Sequence, residues 1–240
     1  MPRLLVSVRS VNEALAAARS GAVFIDLKEP AAGALGSLPP RRIARIVQAM
    51  RALHPGTSIS ATIGDVPVQS REQILRRVAA VSACGVDYVK VGIDSRAHPE
   101  AVVALLDGLA RCGTPIVPVL IADDGIDGAL VEAALWPHAF AAVMLDTVDK
   151  RGGSLVQRHP MAALAAFVAS VRSRGCLAGL AGALRAEDVP ALIALAPDFA
   201  GFRSAVCAGD RAGALDAGRV VDLARRLAVR PAGAGASAAS

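Results

Sequence analysis

The sequence predicts a single-domain (β/α)8 barrel of the TIM type. Three observations lead there. The chain has 240 residues, a length that such barrels use as one unit. Short β-rich runs alternate with longer alanine-rich amphipathic stretches, the pattern of βα units feeding a parallel sheet. Apolar residues make up 54% of the chain but aromatics only 3%, so the core is built from Ala, Val, Leu and Ile, as in strands buried on both faces.

The elements follow in order. The run LLVSV, residues 4–8, reads as the first strand, with the alanine-rich segment 11–20 as its helix. VFIDLK, 23–28, is the second strand, followed by a helix over 40–53. SISATI, 58–63, and YVKVGI, 88–93, are the third and fourth, with helices over 71–83 and 99–111. The fifth strand is placed at 116–121, although Pro118 removes a ladder donor there; its helix spans 126–136. AAVMLD, 141–146, LAGLAG, 177–182, and FAGFRSAV, 199–206, complete eight strands, with helices over 161–173, 186–194 and 216–228. A doubly wound open sheet is the main rival, but no GxGxxG follows the first strand. The barrel is expected to occupy residues 1–229. The tail 230–240, RPAGAGASAAS, is small and polar and is expected to be disordered.

Charge and composition narrow the function. The net charge is +5, yet the arginines are dispersed without aromatics for base stacking, which argues against nucleic acid and suits anionic small molecules. Cys84, Cys112, Cys176 and Cys207 form no CxxC pair and read as free thiols in a reducing compartment. The four histidines lack ligand spacing, so no metal site is expected. The first residues are too short an apolar stretch for a signal peptide, and no run reaches a membrane span of about 18 residues. The reading is a cytoplasmic protein without membrane or nucleic-acid partners.

Lysine is scarce. Of 26 basic residues only Lys28, Lys90 and Lys150 are lysines. In a chain that uses arginine for plain positive charge, the remaining lysines mark places where an amine able to deprotonate is needed. All three fall at the predicted C-terminal mouth of the barrel, where such folds place their chemistry. Asp26 and Lys28 close the second strand and point to the same side. Asp65 follows SISATIG, Lys90 interrupts YVKVGI, Asp146 ends AVMLD and Lys150 stands in LDTVDK. Each has a bland alternative: Lys28 with Asp26 could be a rim ion pair, Lys150 a solvated loop residue, Asp65 a turn cap. Lys90, flanked by apolar strand neighbours, is harder to explain structurally.

Neighbouring ammonium groups and desolvation both depress a lysine pKa. The resulting amine can condense with a carbonyl to give a Schiff base, with nearby carboxylates moving protons. After strands seven and eight, the small-residue turns at Gly182, Ala183, Ser204 and Ala205, with Arg203, form a candidate anion site.

The segments LLVSV, FIDLKEPAAGALGS, SATIGDVP, DYVKVGI, AVMLDTVDK, LAGLAG and GFRSAVCAGDR together resemble the (5-formylfuran-3-yl)methyl phosphate synthases, which make the furan precursor of methanofuran and methylofuran. The resemblance runs from about residue 4 to 219. It implies a TIM barrel that condenses two glyceraldehyde 3-phosphate molecules into one furan aldehyde phosphate, with loss of one phosphate and two waters. It also implies that Lys28 is the Schiff-base lysine, Asp26 its acid/base partner, and Lys90, Asp146 and Lys150 the rest of the site, without a cofactor. A homo-oligomer is expected. Ser204 stands where the family's turn carries glycine. A class I aldolase on sugar phosphates, or a non-catalytic phosphometabolite-binding barrel, are the alternatives.

Overall fold

In the computed structural model, which describes residues 1–135, 138, 140–150 and 152–229, eight parallel strands close in sequential order into a barrel. The strands are β1 (Arg3–Val8), β2 (Phe24–Leu27), β3 (Ser58–Thr62), β4 (Tyr88–Asp94), β5 (Ile116–Ile121), β6 (Ala142–Asp146), β7 (Leu177–Leu180) and β8 (Phe199–Phe202). The helices are α1 (Val11–Arg19), α2 (Pro40–Leu53), α3 (Arg71–Ser82), α4 (Pro99–Ala110), α5 (Gly128–Leu135), α6 (Leu155–Arg158), α7 (Met161–Ser173), α8 (Val189–Leu195) and α9 (Ala217–Ala228). The seam closes by β1 pairing with β8, Leu5 opposite Gly201.

Outward-facing strand residues such as Val6, Ile25, Ile59 and Val89 are fully buried under the helices and form the main core. The alternate residues point into the barrel. Near its lower end these are apolar: Leu5, Val117, Val119, Met144 and Phe199, with Phe24, Tyr88 and Leu177 partly exposed. Gly179 makes room for the Phe199 ring, which a Cβ there would strike. Toward the mouth the inward positions turn polar, with Ser7, Asp26, Ser60, Lys90 and Asp146 all buried. The two-residue side-chain period of each strand thus sorts one apolar and one polar layer.

Pro118 sits within β5 opposite Val91 of β4, and pairing with β6 starts one residue later, at Val119 and Met144. The missing donor therefore precedes the first pair on the β6 side, where a strand tolerates it. Several expected bounds shift. β2 ends at Leu27, so Lys28 opens the following loop. β8 ends at Phe202, and residues 204–206 form a 3-10 turn instead of strand. The short α6 has no counterpart in the sequence reading; Ser154 and Gln157 build its capping box, each side chain bonding the other's backbone N–H. Ala186–Asp188 is a separate 3-10 turn before α8. Trp136, the expected end of α5, and the tail 230–240 lie outside the described residues.

Candidate active site

The polar layer at the mouth divides into two linked groups. The first centres on Asp26 of β2. Its carboxylate accepts from the Ser7 hydroxyl at 3.1 Å and the Ser60 hydroxyl at 2.7 Å, and pairs with Lys90 Nζ at 3.2 Å. The three strands β1, β2 and β3 hold these residues in register, Ser7 opposite Asp26 and Asp26 opposite Ser60. Three donors from three strands leave this carboxylate one fixed orientation.

The second group centres on Asp146, at the end of β6. One oxygen accepts from Lys150 Nζ at 2.5 Å and from the Thr147 backbone N–H at 2.7 Å. The other lies 3.7 Å from Lys28 Nζ. Lys150 Nζ also donates to the Thr147 carbonyl. The nearer carboxylate to Lys28 is thus Asp146, while Asp26 is engaged by Lys90.

The electrostatics of Lys28 are those of a buried amine among two more amines. Burial, with only 6% of the residue exposed, lowers its pKa from 10.5 to about 8. The charges of Lys150 and Lys90 push the same way, and Asp146 and Asp26 oppose them. For Asp146, burial favours the neutral acid, but Lys150 and Lys28 outweigh it and hold the carboxyl well below the usual range. The site therefore keeps an anion beside an amine that is partly uncharged near neutral pH.

A narrow pocket, with about 30 Å³ of free volume, joins this cluster to the ends of β7 and β8. Gly182, Ala183, Arg203 and Ser204 line it, as do Lys28, Lys90, Asp146 and Lys150. Gly182 and Ala183 have φ of 107° and 48°, so the chain turns through the left-handed region as it leaves β7. Among the described residues, the backbone N–H groups of Gly182, Ala183 and Ser204 meet no protein acceptor. Ala205 follows in the 3-10 turn and does not line the pocket.

Two other expected residues are placed differently. Arg203 lines the pocket, but all five of its N–H groups are occupied. Nε donates to the Arg211 carbonyl at 2.9 Å, Nη1 to the Ser7 carbonyl at 3.0 Å and to Glu13 at 2.7 Å, and Nη2 to Glu13 at 3.2 Å and the Gly213 carbonyl at 2.9 Å. It is a staple between β8, its loop and α1. Asp65 lines a separate hollow and accepts from the Leu35 backbone N–H at 3.2 Å.

The residue that sequence reasoning missed is Arg211. It sits on the loop that Arg203 ties down and lines the pocket, and among the described residues its guanidinium makes one hydrogen bond, from Nη2 to the Gly33 carbonyl at 3.1 Å. Nothing in a run of small residues marked it. Among the described residues no cluster of His, Cys, Asp and Glu could hold a metal ion, and no helix is long and apolar enough to cross a membrane.

Comparison with known proteins places the chain in a family. Among solved structures, the chain resembles phosphoribosyl anthranilate isomerase from Thermus thermophilus, with TM-score 0.63, 21% identity, and coverage of 94% of this chain and 98% of that one. It also resembles a 3-hexulose-6-phosphate synthase, with TM-score 0.57, 17% identity, and coverage of 94% and 100%. At such identity these show the barrel fold alone. A Methylorubrum extorquens relative is 39% identical over 234 residues, 96% of this chain and 93% of the relative. The (5-formylfuran-3-yl)methyl phosphate synthases of Methanopyrus kandleri and Archaeoglobus fulgidus are 35% and 33% identical, covering 95% and 92% of this chain and 99% and 97% of theirs. Residues 4–224 match the sequence profile described as 4-HFC-P synthase. With buried polar side chains of five strands turned to one mouth, and with a profile match over residues 4–224 and relatives matched over nearly their whole length, this chain belongs to the 4-HFC-P synthase family.

Proposed function

We propose that this protein condenses two molecules of glyceraldehyde 3-phosphate into (5-formylfuran-3-yl)methyl phosphate, releasing one phosphate and two waters, through a Schiff base on Lys28, as a step toward a methanofuran-type cofactor. The observation that carries this reading is the Lys28 amine: buried, held near pKa 8, and 3.7 Å from an ionised carboxylate. An ordinary lysine is almost wholly protonated at neutral pH and cannot attack a carbonyl; this one can.

In the proposed route, one glyceraldehyde 3-phosphate isomerises through its enediol, a proton leaving carbon 2 and one returning to carbon 1, to dihydroxyacetone phosphate. The neutral amine adds to its ketone carbon and water leaves, giving an imine. The imine withdraws electrons, so a neighbouring carbon gives up its proton to a carboxylate, and the enamine that results attacks the aldehyde carbon of the second triose. Asp146 is placed to exchange protons at the imine nitrogen or the adjacent carbon, and Lys150, bonded to it, to return them. Asp26 and Lys90 form the corresponding pair on the β2 and β4 side. Phosphate elimination, ring closure and dehydration then give the furan. The free N–H groups of Gly182, Ala183 and Ser204 are suited to phosphate oxygens, with Arg211 supplying the charge. Arg203 positions that loop.

Borohydride reduction in the presence of glyceraldehyde 3-phosphate, followed by mass mapping, tests the covalent step. The expected adduct lies on Lys28. Ultraviolet absorption of a furan aldehyde distinguishes the synthase from an aldolase that releases an acyclic sugar phosphate. Absence of both signals would overturn the assignment.

A further inference from the structure

The loop between β2 and α2 carries an apolar side chain into the barrel mouth. Leu35 is only 2% exposed and shares its cluster with Leu5, Met144 and Ala181, three residues that line the Lys28 pocket. On its other side Leu35 lines a hollow of about 400 Å³ bounded by residues 64–69 and by β4 and β5. Leu35 thus lines the larger hollow and belongs to the apolar cluster that supplies three walls of the Lys28 pocket.

Its seat is built rather than incidental. Gly92, on the inner face of β4, has no side chain, and a Cβ there would lie 2.5 Å from Leu35 Cδ1. The Leu35 backbone N–H donates to Asp65, and the Gly36 carbonyl accepts from the Thr62 hydroxyl at 2.9 Å and the Glu29 backbone N–H at 2.8 Å. A Cβ on Gly36 would collide with the Glu29 carbonyl, and Gly33, at φ 109°, has a backbone that favours glycine. Arg211 ties Gly33 to the β8 loop across the mouth.

The larger hollow is not a second phosphate site. Its charged lining is Asp65, Asp94 and Arg96, and Arg96 is spent on Asp94 at 2.8 Å and Asp124 at 3.7 Å. Such a surface repels a phosphate dianion and suits water. The Lys28 pocket, by contrast, is lined by three lysines and Arg211 beside Asp26 and Asp146.

We propose that Leu35 is a positioning residue for product choice: it walls the carbonyl bound on Lys28 from the water of the neighbouring hollow, so that the first triose stays attached until the second arrives. This rests on the Schiff-base reading above. The competing step is hydrolysis. Water adds to the imine carbon, the carbon–nitrogen bond breaks, the nitrogen takes the proton and leaves as the free amine, and the triose departs with a carbonyl oxygen from water. Dihydroxyacetone phosphate, held as the imine of its carbon 2, is thereby returned to solution instead of entering the furan.

Leu35→Ala opens the wall. The test measures the ratio of dihydroxyacetone phosphate released to furan formed from glyceraldehyde 3-phosphate, against an enzyme-free blank. Leu35→Ala is expected to raise this ratio by on the order of tenfold while borohydride trapping on Lys28 persists. Leu35→Met, of similar volume, is expected to restore the wild-type ratio. Gly92→Ala, which dislodges Leu35 from the opposite strand, is expected to act like Leu35→Ala and serves if that variant does not fold. An unchanged ratio in a folded Leu35→Ala or Gly92→Ala protein overturns the proposal. A wild-type protein that gives neither adduct nor furan overturns the Lys28 reading itself, a different result from an unchanged ratio.

Discussion

If the Lys28 amine does the covalent work, its ionisation sets the pH dependence of imine formation. With a pKa of about 8, roughly one molecule in ten carries the neutral amine at pH 7, against about one in three thousand for a lysine at its ordinary value, a gain of roughly 300-fold. The rate of reductive trapping with saturating glyceraldehyde 3-phosphate, followed by intact mass from about pH 6 to about pH 10, should rise tenfold per pH unit and level off near pH 8. Continued rise to pH 10 would show an ordinary lysine and refute the reasoning. The same shift has a cost in stability. The folded value lies below the unfolded 10.5, so between those two pH values the unfolded chain holds the extra proton and stability rises with pH. Below pH 8 the buried ammonium costs a constant amount of about 3 kcal/mol. Lys28→Met should therefore abolish trapping at pH 7 without lowering the melting temperature; a fall of many degrees would show that the amine is there for structure.

Other expectations follow from the same contacts. Lys28→Arg should fold and show no turnover, since a guanidinium stays charged; residual furan synthesis would refute the covalent role. Asp146→Asn removes the strongest influence raising the Lys28 pKa, so the trapping inflection should move below pH 8 while furan formation falls about 10²- to 10⁴-fold. Arg203→Met removes the donor that the Ser7 and two loop carbonyls share while Arg9 still pairs with Glu13, and should cost about 1–3 kcal/mol, a drop of several degrees in thermal unfolding. Arg211→Ala should leave the melting temperature near wild type and raise KM more than it lowers kcat; an unchanged KM would remove Arg211 from phosphate binding.

Much of the fold was legible because strand and helix periods differ so plainly in this chain. An apolar run such as AVMLD, buried at every position, can hardly be other than a central strand. Ends were harder. Residues 203–206 look β-rich, but the Arg203 guanidinium must reach Ser7, Glu13 and two loop carbonyls, and the backbone turns to let it. The lysines were legible through scarcity, a property of composition that needs no coordinates. Which carboxylate stands beside which amine was not, because Asp26 and Asp146 both lie inward and only the register of Ser7 and Ser60 assigns Asp26 to Lys90. The place of Arg211 was invisible for a further reason: it comes from a loop folding back across the mouth, and no periodicity records that.

The staple between the first and last strands has a consequence for synthesis on the ribosome. Ser7, Asp26 and Lys28 emerge early, yet Arg203, which grips the Ser7 carbonyl and Glu13, emerges only after four-fifths of the chain. Until then the cylinder cannot close and Lys28 remains hydrated, with the proton affinity of any surface lysine. If Lys28 is the reactive amine, a nascent or truncated chain is thereby harmless to the aldehydes around it.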